Sequence, residues 1–447
     1  MRPDGSAPDR SPAPLGSRYW RLWTSAGLSN LADGTMRVAL PLVAVGLTRS
    51  PLLIAGVAFA ARLPWLLFAL PAGALADRWD RRGTMLGANV VRALLLALLG
   101  AAVALDVDTI WALYAVAFAI GVAETSYDTS AQAILPQLVR RDHLPRANGR
   151  LYAAELTASE FVGPPLAGFL VAASITAAFA VPAALWVAAV LALLLMPGTF
   201  RVERDRTGGI RADILEGLRF VGRHRLLRTF AVMVGVANFA GSAILAVLVL
   251  YAVGPDSAMG LSAQAYGVLL TSVAAGSVLG SFVAERVSRR LGRARTLGLT
   301  VVGHVLMYGV PAVTTSPVLV GAAFLVGATG GTIWNVITVS LRQRITPDRL
   351  LGRANSVNRL VAWGTLPLGA AAGGLLAQFL GLRAVFALMA LVQLGLLAGM
   401  AVVTDDRMDA AERDADQPGG TRRPMTERGN RRRDGEATPS TRTGSRR

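Results

Sequence analysis

Apolar and polar positions fall in long blocks along this chain, not in the two-residue alternation of a half-buried strand. Twelve blocks rich in Leu, Ala, Val, Gly and Ile each run to about 20 residues, the length a helix needs to cross the hydrocarbon core. They cover 21–47, 51–77, 84–105, 109–132, 147–172, 175–197, 229–253, 264–284, 296–315, 317–340, 354–379 and 382–403. The pattern defines their edges least well at the proline-containing junctions Pro51, Pro182 and Pro317. An all-α membrane protein with twelve transmembrane helices is the expectation.

Two polar motifs recur at one displacement. Ala76-Asp77-Arg78-Trp79-Asp80-Arg81-Arg82 returns as Ala284-Glu285-Arg286-Val287-Ser288-Arg289-Arg290, 208 positions later. Arg146-Ala147-Asn148 returns as Arg353-Ala354-Asn355, 207 positions later. The chain therefore reads as a duplication, with pseudo-symmetric six-helix halves at 21–198 and 226–404. Parallel repeats around a shared site are a transporter architecture.

Composition supports this class. With 447 residues, 53% of them hydrophobic, and a mean hydropathy of +0.48, the chain is more apolar than a single soluble core requires. All 45 basic residues are Arg, and with the N-terminus in the cytoplasm 39 of them fall on the cytoplasmic side. Only Arg49 and Arg383 lie in loops on the other side, while Arg37, Arg62, Arg92 and Arg359 lie within spans. This positive-inside bias puts both termini in the cytoplasm of a multi-pass protein of the cell membrane. The net charge of +17 is spread over loops, where topology and anionic lipid account for it, so no nucleic-acid partner is expected. With no Cys and three His, disulfides, thiolate metal sites and structural zinc are not expected, nor is any cofactor. The polar Met1–Arg18 stretch lacks the apolar core of a signal peptide.

Three polar segments frame the halves. Residues 1–20 form an N-terminal tail. The 199–225 linker carries Ile210, Ile214, Leu218 and Val221 at helical spacing, with Arg211, Arg219 and Arg223 largely elsewhere on the wheel. It reads as an interfacial helix tying the halves together, with regulation as the alternative. Residues 405–447, rich in Arg, Asp, Glu, Gly and Pro, are expected to be a disordered tail.

A chain without lysine has no phosphate-loop motif, so transport would draw on an ion gradient or on the cargo's own gradient. Charges at membrane depth are then the candidates, because they are costly without a partner or a purpose. Asp33 and Arg37 have the i,i+4 spacing of a pair near mid-membrane. They form either a structural pair or a proton- or substrate-binding site. Glu124 and Asp128 share that spacing on the fourth helix, where two adjacent carboxylates cannot both ionise cheaply. Glu124 lines a cavity or packs, and Asp128 couples or pairs toward a loop. On an α-helix Glu155 and Glu160 would lie on roughly opposite faces, with Glu160 nearer the midplane. His304 reads as a packing residue with a hydrogen bond or as a further polar site.

Gly73-Ala-Leu-Ala-Asp77-Arg78-Trp-Asp80-Arg81-Arg82 resembles the loop-two-three signature of the major facilitator superfamily, and the resemblance extends over the whole two-half layout. It implies the major facilitator fold. By analogy, Gly73 would permit close helix contact, Asp77 would face the start of the eleventh helix, and Arg78, Arg81 and Arg82 would complete a cytoplasmic clasp. Asp80 stands where the family usually has a second Gly, which leaves the turn open, and the fourth-helix Arg motif is missing. Gly163-Pro164-Pro165-Leu166-Ala167-Gly168 resembles the antiporter motif of that superfamily, which goes with export; plain close packing is the alternative. Ser29-Asn-Leu-Ala-Asp33-Gly34, Val38-Ala-Leu-Pro41, Leu135-Pro-Gln137 and Leu215-Glu-Gly-Leu-Arg-Phe-Val221 resemble the branch with the enterobactin exporter and macrolide-efflux proteins.

The expectation is a secondary active exporter, not an enzyme, carrying an amphipathic small molecule (drug, secondary metabolite or siderophore) by proton antiport with alternating access. Its partners would be that small-molecule substrate, protons and the lipid bilayer, and it would work as a monomer. An importer or lipid flippase on the same fold, or a non-transporting sensor or scaffold, are the alternatives.

Overall fold

The computed structural model describes residues 15–76, 80–107, 109–140, 143–198, 200 and 210–416. The first half comprises α1 (Ser17–Leu47), α2 (Pro51–Ala76), α3 (Arg81–Ala104), α4 (Ile110–Leu138), a composite fifth crossing and α7 (Ile175–Leu194). The fifth crossing is α5 (Leu144–Glu155), a π-helical segment (Leu156–Val162) and α6 (Gly163–Ala173) in unbroken succession. After the linker helix α8 (Ile210–Arg223) come α9 (Arg225–Ala252), α10 (Ala263–Leu291), α11 (Arg293–Val313), α12 (Pro317–Ile345) and α13 (Asp348–Leu380). The last crossing is α14 (Leu382–Gly395), tightened into a 3₁₀ turn over Leu396–Ala401, and α15 (Asp405–Asp416) follows.

Among the described residues, 11 helices are long and apolar enough to cross a membrane. α1 has the length but carries Arg18, Arg21, Asp33 and Arg37, and it takes the remaining place in the twelve-helix order. The fold is the expected all-α, twelve-helix arrangement in two halves. Pro51 and Pro317 open their helices, where a missing N–H costs nothing. Pro182, by contrast, sits buried inside α7. Thr109 and Ser262 cap α4 and α10 by accepting from Ala112 N and Ala265 N, each at 3.2 Å.

Lipid solvates apolar side chains as well as a core does, so small residues and close backbone contact hold the crossings together. Gly369 and Gly373 of α13 lie against Phe239 and Ala243 of α9. Gly276 and Gly280 of α10 lie on the carbonyls of Leu325 and Thr329. Large apolar side chains such as Leu98, Phe282, Val318 and Phe379 point outward. The duplicated Arg-Ala-Asn motif keeps one packing role in both copies, since Ala147 and Ala354 are both fully buried.

The linker forms the expected helix. Gly217 lets α8 pass over the Arg353 backbone of α13, Glu216 pairs with Arg353, and Val221 is buried. Leu215 and Leu218 stay exposed on its outer side. The side chains of Ile210 and Ile214 lie outside the described residues.

The tail departs from expectation at its start, where 405–416 is helical rather than disordered. Asp405 and Asp406 occupy the first turn of α15, where the helix dipole favours negative charge. The Asp405 carboxylate accepts from Ala294 N at 3.0 Å, and Arg293 pairs with Asp409 and with Glu412, the latter at 2.7 Å. Arg344 reaches Glu412 at 3.5 Å, and Met408 is fully buried. A composition argument averages over the segment and misses one apolar anchor and a set of ion pairs. Residues 417–447 lie outside the described residues.

A candidate coupling site in the first half

Asp33 and Arg37 do not pair with each other, contrary to their spacing. Arg92 Nη1 lies 3.3 Å from both carboxylate oxygens of Asp33, and Arg37 pairs with Glu160. Arg92 is fully buried on α3. It also reaches Ser29 Oγ at 3.2 Å, and the rings of Tyr127 and Trp186 stand over its guanidinium at 5.2 and 5.5 Å. Its Nε and Nη2 have no hydrogen-bond partner among the described residues. This first pair is dry, whereas the side chains of Arg37 and Glu160 are 41% and 39% exposed. Nothing local signals the Asp33–Arg92 pair, whose partners are 59 positions apart.

The π-helical segment explains why Glu160 meets α1. Gly34 leaves room for the Ser159 backbone, and a Cβ on Gly163 would stand 2.7 Å from the Gly34 carbonyl carbon. The fifth crossing is therefore pressed onto α1 between Asp33 and Arg37. In a π-helix hydrogen bonds run i to i+5, so residues five apart stack on one face. Glu155 and Glu160, expected on opposite faces, come into electrostatic reach of each other and of Arg37.

Glu124 and Asp128, both half-buried on α4, lie within electrostatic reach of each other, of Asp33 and of Glu155. Neither makes an ion pair among the described residues. Arg62 of α2, a second residue that the spacing argument did not assign, acts on Glu124 and Glu160. The first half thus gathers Asp33, Glu124, Asp128, Glu155 and Glu160 around Arg37, Arg62 and Arg92. Carboxylates outnumber guanidiniums by two, and such a group holds protons or a cationic ligand more readily than an ion-free interior. His304 stays apart on α11, its Nδ1 2.8 Å from the Thr300 carbonyl oxygen.

The Gly163–Gly168 motif packs in two directions. Gly163 and Pro164 are buried; Gly163 abuts α1 of its own half, while Gly168 abuts the Ala263 carbonyl at the start of α10 in the other. Gly267 returns the contact onto Pro164 and Pro165. At the same end of the molecule Gly374 of α13 lies against Pro51, Leu52 and Ala55, and Ser50 Oγ is 3.3 Å from Gln378 Oε1. The halves are therefore tightly apposed at the ends away from the Arg-rich loops. Deeper, Trp65 and Trp363 meet edge-on at 4.1 Å between ring centres.

In the loop-two-three motif Gly73 falls within α2, its surroundings undescribed, and Asp77 and Arg78 lie outside the described residues. Among the described residues, the hydrogen bonds of Arg81 and Arg82 stay within the first half. Arg81 donates to Ala133 O at 2.6 Å, and Arg82 to Leu193 O and Leu194 O at 2.9 and 3.1 Å. Asp80 has ordinary extended backbone (φ −65°), so the turn does not need the usual Gly. Its side chain instead caps α3, accepting from Gly83 N at 2.7 Å, and takes Phe200 N at 2.5 Å.

Comparison with known proteins agrees with this fold. Residues 10–433 match a family model described as transmembrane secretion effector. The multidrug efflux pump Tap of Mycobacterium tuberculosis is 29% identical over 417 residues, covering 87% of this chain and 94% of Tap. The MFS-type transporter y4rN of Sinorhizobium fredii is 30% identical over 376 residues, covering 79% of this chain and 87% of y4rN. Among solved structures, the nucleoside transporter NupG superposes with a TM-score of 0.69 at 15% identity, covering 87% of this chain and 99% of NupG. An inward-facing bacterial homologue of the iron transporter ferroportin gives 0.68 at 16% identity, covering 86% and 98%. The fold is shared with these structures, and the sequence match is with transporters rather than enzymes. This chain is a multi-pass membrane transporter belonging to the transmembrane secretion effector family of the major facilitator superfamily.

Proposed function

We propose that this transporter exports an amphipathic small molecule in exchange for protons, with the charged cluster of the first half as the proton carrier. The observation that carries the reading is the excess of carboxylates over guanidiniums at membrane depth, with Glu124 and Asp128 in no ion pair among the described residues. Protonation of Asp33 would release Arg92, and protonation of Glu160 would release Arg37. Each event frees a cation on α3 or α1 and changes what holds those helices to their neighbours. The similarity to Tap supports efflux as the direction.

With the Arg-rich loops in the cytoplasm, the apposed ends are the outer ones. The partly exposed Arg37–Glu160 pair is then reached from inside, the state that would load cargo for export. The test is proteoliposomes with an imposed pH gradient and an amphipathic fluorescent dye. Wild type is expected to move dye against its gradient while dissipating the pH gradient, and Asp33→Asn to lose both. Full-rate export by Asp33→Asn removes that residue from the mechanism. Dye movement indifferent to the pH gradient, or in the uptake direction, would favour a flippase or an importer instead. A scaffold would lose function on deletion of residues 417–447, whereas a transporter keeps its transport rate.

A further inference from the structure

The second half contains a cavity of about 390 Å³ that lies away from the charged cluster. It is bounded by α9, α11, α12, α13 and the end of the last crossing, and no carboxylate lines it. Its volume lies in the range of small-molecule sites. The polar groups on its wall are four carboxamides, an imidazole, two threonine hydroxyls and the guanidinium of Arg342, whose Nε donates to Asn355 Oδ1 at 3.0 Å.

Asn238 donates one N–H of Nδ2 to Ala362 O at 2.7 Å, and its Oδ1 has no donor among the described residues. His304 Nδ1 faces a carbonyl oxygen, which can only accept, so Nδ1 carries the proton. With no carboxylate nearby to favour a second proton, Nε2 is an acceptor. Gly331, also on the cavity wall, stands beside it: a Cβ there would be 3.4 Å from Nε2. Gln393 is 2% exposed, and its Oε1 is buried without a hydrogen-bond partner among the described residues. A buried acceptor without a donor is unfavourable, and binding sites are where such a group finds its partner. Trp334 and Trp363 add aromatic surface. Trp363 also meets Trp65 of the first half, so one wall of the cavity is shared with the interface between halves.

Three unused acceptors and two indole rings define a complementary ligand. We propose that this cavity is the cargo site, and that it takes ring-containing molecules rich in hydrogen-bond donors, such as glycosides and other polyhydroxylated rings. Hydroxyl groups would donate to Gln393 Oε1, His304 Nε2 and Asn238 Oδ1, and the ring faces would lie on tryptophan. This names a cargo class for the transport reading above and rests on it.

The test is equilibrium binding to the full chain in lipid nanodiscs, using 4-methylumbelliferyl β-glucoside against 7-methoxy-4-methylcoumarin, which keeps the ring and has no hydrogen-bond donor. The glucoside is expected to bind and the methoxycoumarin to bind at least tenfold more weakly. Gln393→Met keeps the side chain's size and removes the acceptor, so the protein should melt at or above the wild-type temperature. It should nevertheless bind the glucoside at least tenfold more weakly. Gly331→Ala, whose methyl makes only an ordinary contact with the imidazole edge, should fold and also weaken binding. Absent glucoside binding, equal binding of the two probes, or unchanged binding in both variants would overturn the proposal. Glucoside binding that persists in a protein indifferent to the pH gradient would strike the exchange mechanism and leave this site standing.

Discussion

The two halves share a plan but not a chemistry. Apart from Arg21, Asp77 and Arg150 near their ends, the spans of the first half hold five carboxylates and three guanidiniums. Those of the second half hold no carboxylate, and in mid-span only Arg359, which lies over Trp363 and Trp65 at 5.1 and 5.4 Å. Packing was kept after duplication, as the equivalent burial of Ala147 and Ala354 shows, whereas the carboxylates at membrane depth are confined to one copy. In the scheme proposed above one half responds to charge and the other to hydrogen-bonding shape, and the rings of Trp65 and Trp363 touch where the two meet.

The largest effect should come from removing one side of the dry pair. Arg92→Met strands Asp33 and should cost about 3–5 kcal/mol, as broken buried pairs do, read as thermal unfolding in detergent. Adding Asp33→Asn should recover most of that loss through coupling of the two sites. Arg359→Met in the other half loses only cation–π contact and should cost about 0.5–2 kcal/mol. Equal costs for Arg92→Met and Arg359→Met would erase the contrast.

Next is the apposition of the halves. Gly168→Val drives a branched side chain into the Ala263 backbone, so the outer ends should stand apart and transport should fall at least tenfold. The chain has no Cys, so a single cysteine at Gln378 reports directly: its labelling from outside should quicken in the Gly168→Val background.

A smaller effect on stability belongs to the partly exposed pair. Arg37→Gln should change stability by about 0–1 kcal/mol while abolishing pH-driven export, a split that a purely structural pair would not show. The smallest effect should be that of Arg293→Gln in the second half. It loosens α15 from Asp409 and Glu412, and the transport rate should stay within twofold of wild type.

What could be read from the sequence follows from the range of each interaction. Crossings depend on about 20 consecutive residues, so the spans, the halves and the linker helix were all legible. The Gly163–Gly168 motif was legible as close packing, though not as contact with two different partners. Pairing was not legible: Arg92 meets Asp33 across 59 positions, and the i,i+4 rule favoured Arg37 because it considers one helix at a time. The face of Glu155 was misjudged because a period of 3.6 was assumed through a segment that departs from it. The helix at 405–416 was hidden because its stability lies in Arg293 and Arg344, far away in the chain.

The wide turn at Leu156–Val162 has a consequence for chain length. A π-helical turn accommodates one residue more than an α-helical one, so deleting any single residue there lets the crossing rewind as ordinary helix. The segments on either side would keep nearly their present faces, because the wide turn is what takes up the extra residue, while residues inside the stretch, Glu160 among them, would point elsewhere. Relatives differing by one residue in this stretch would be wired differently at their centre, however alike their motifs look in an alignment.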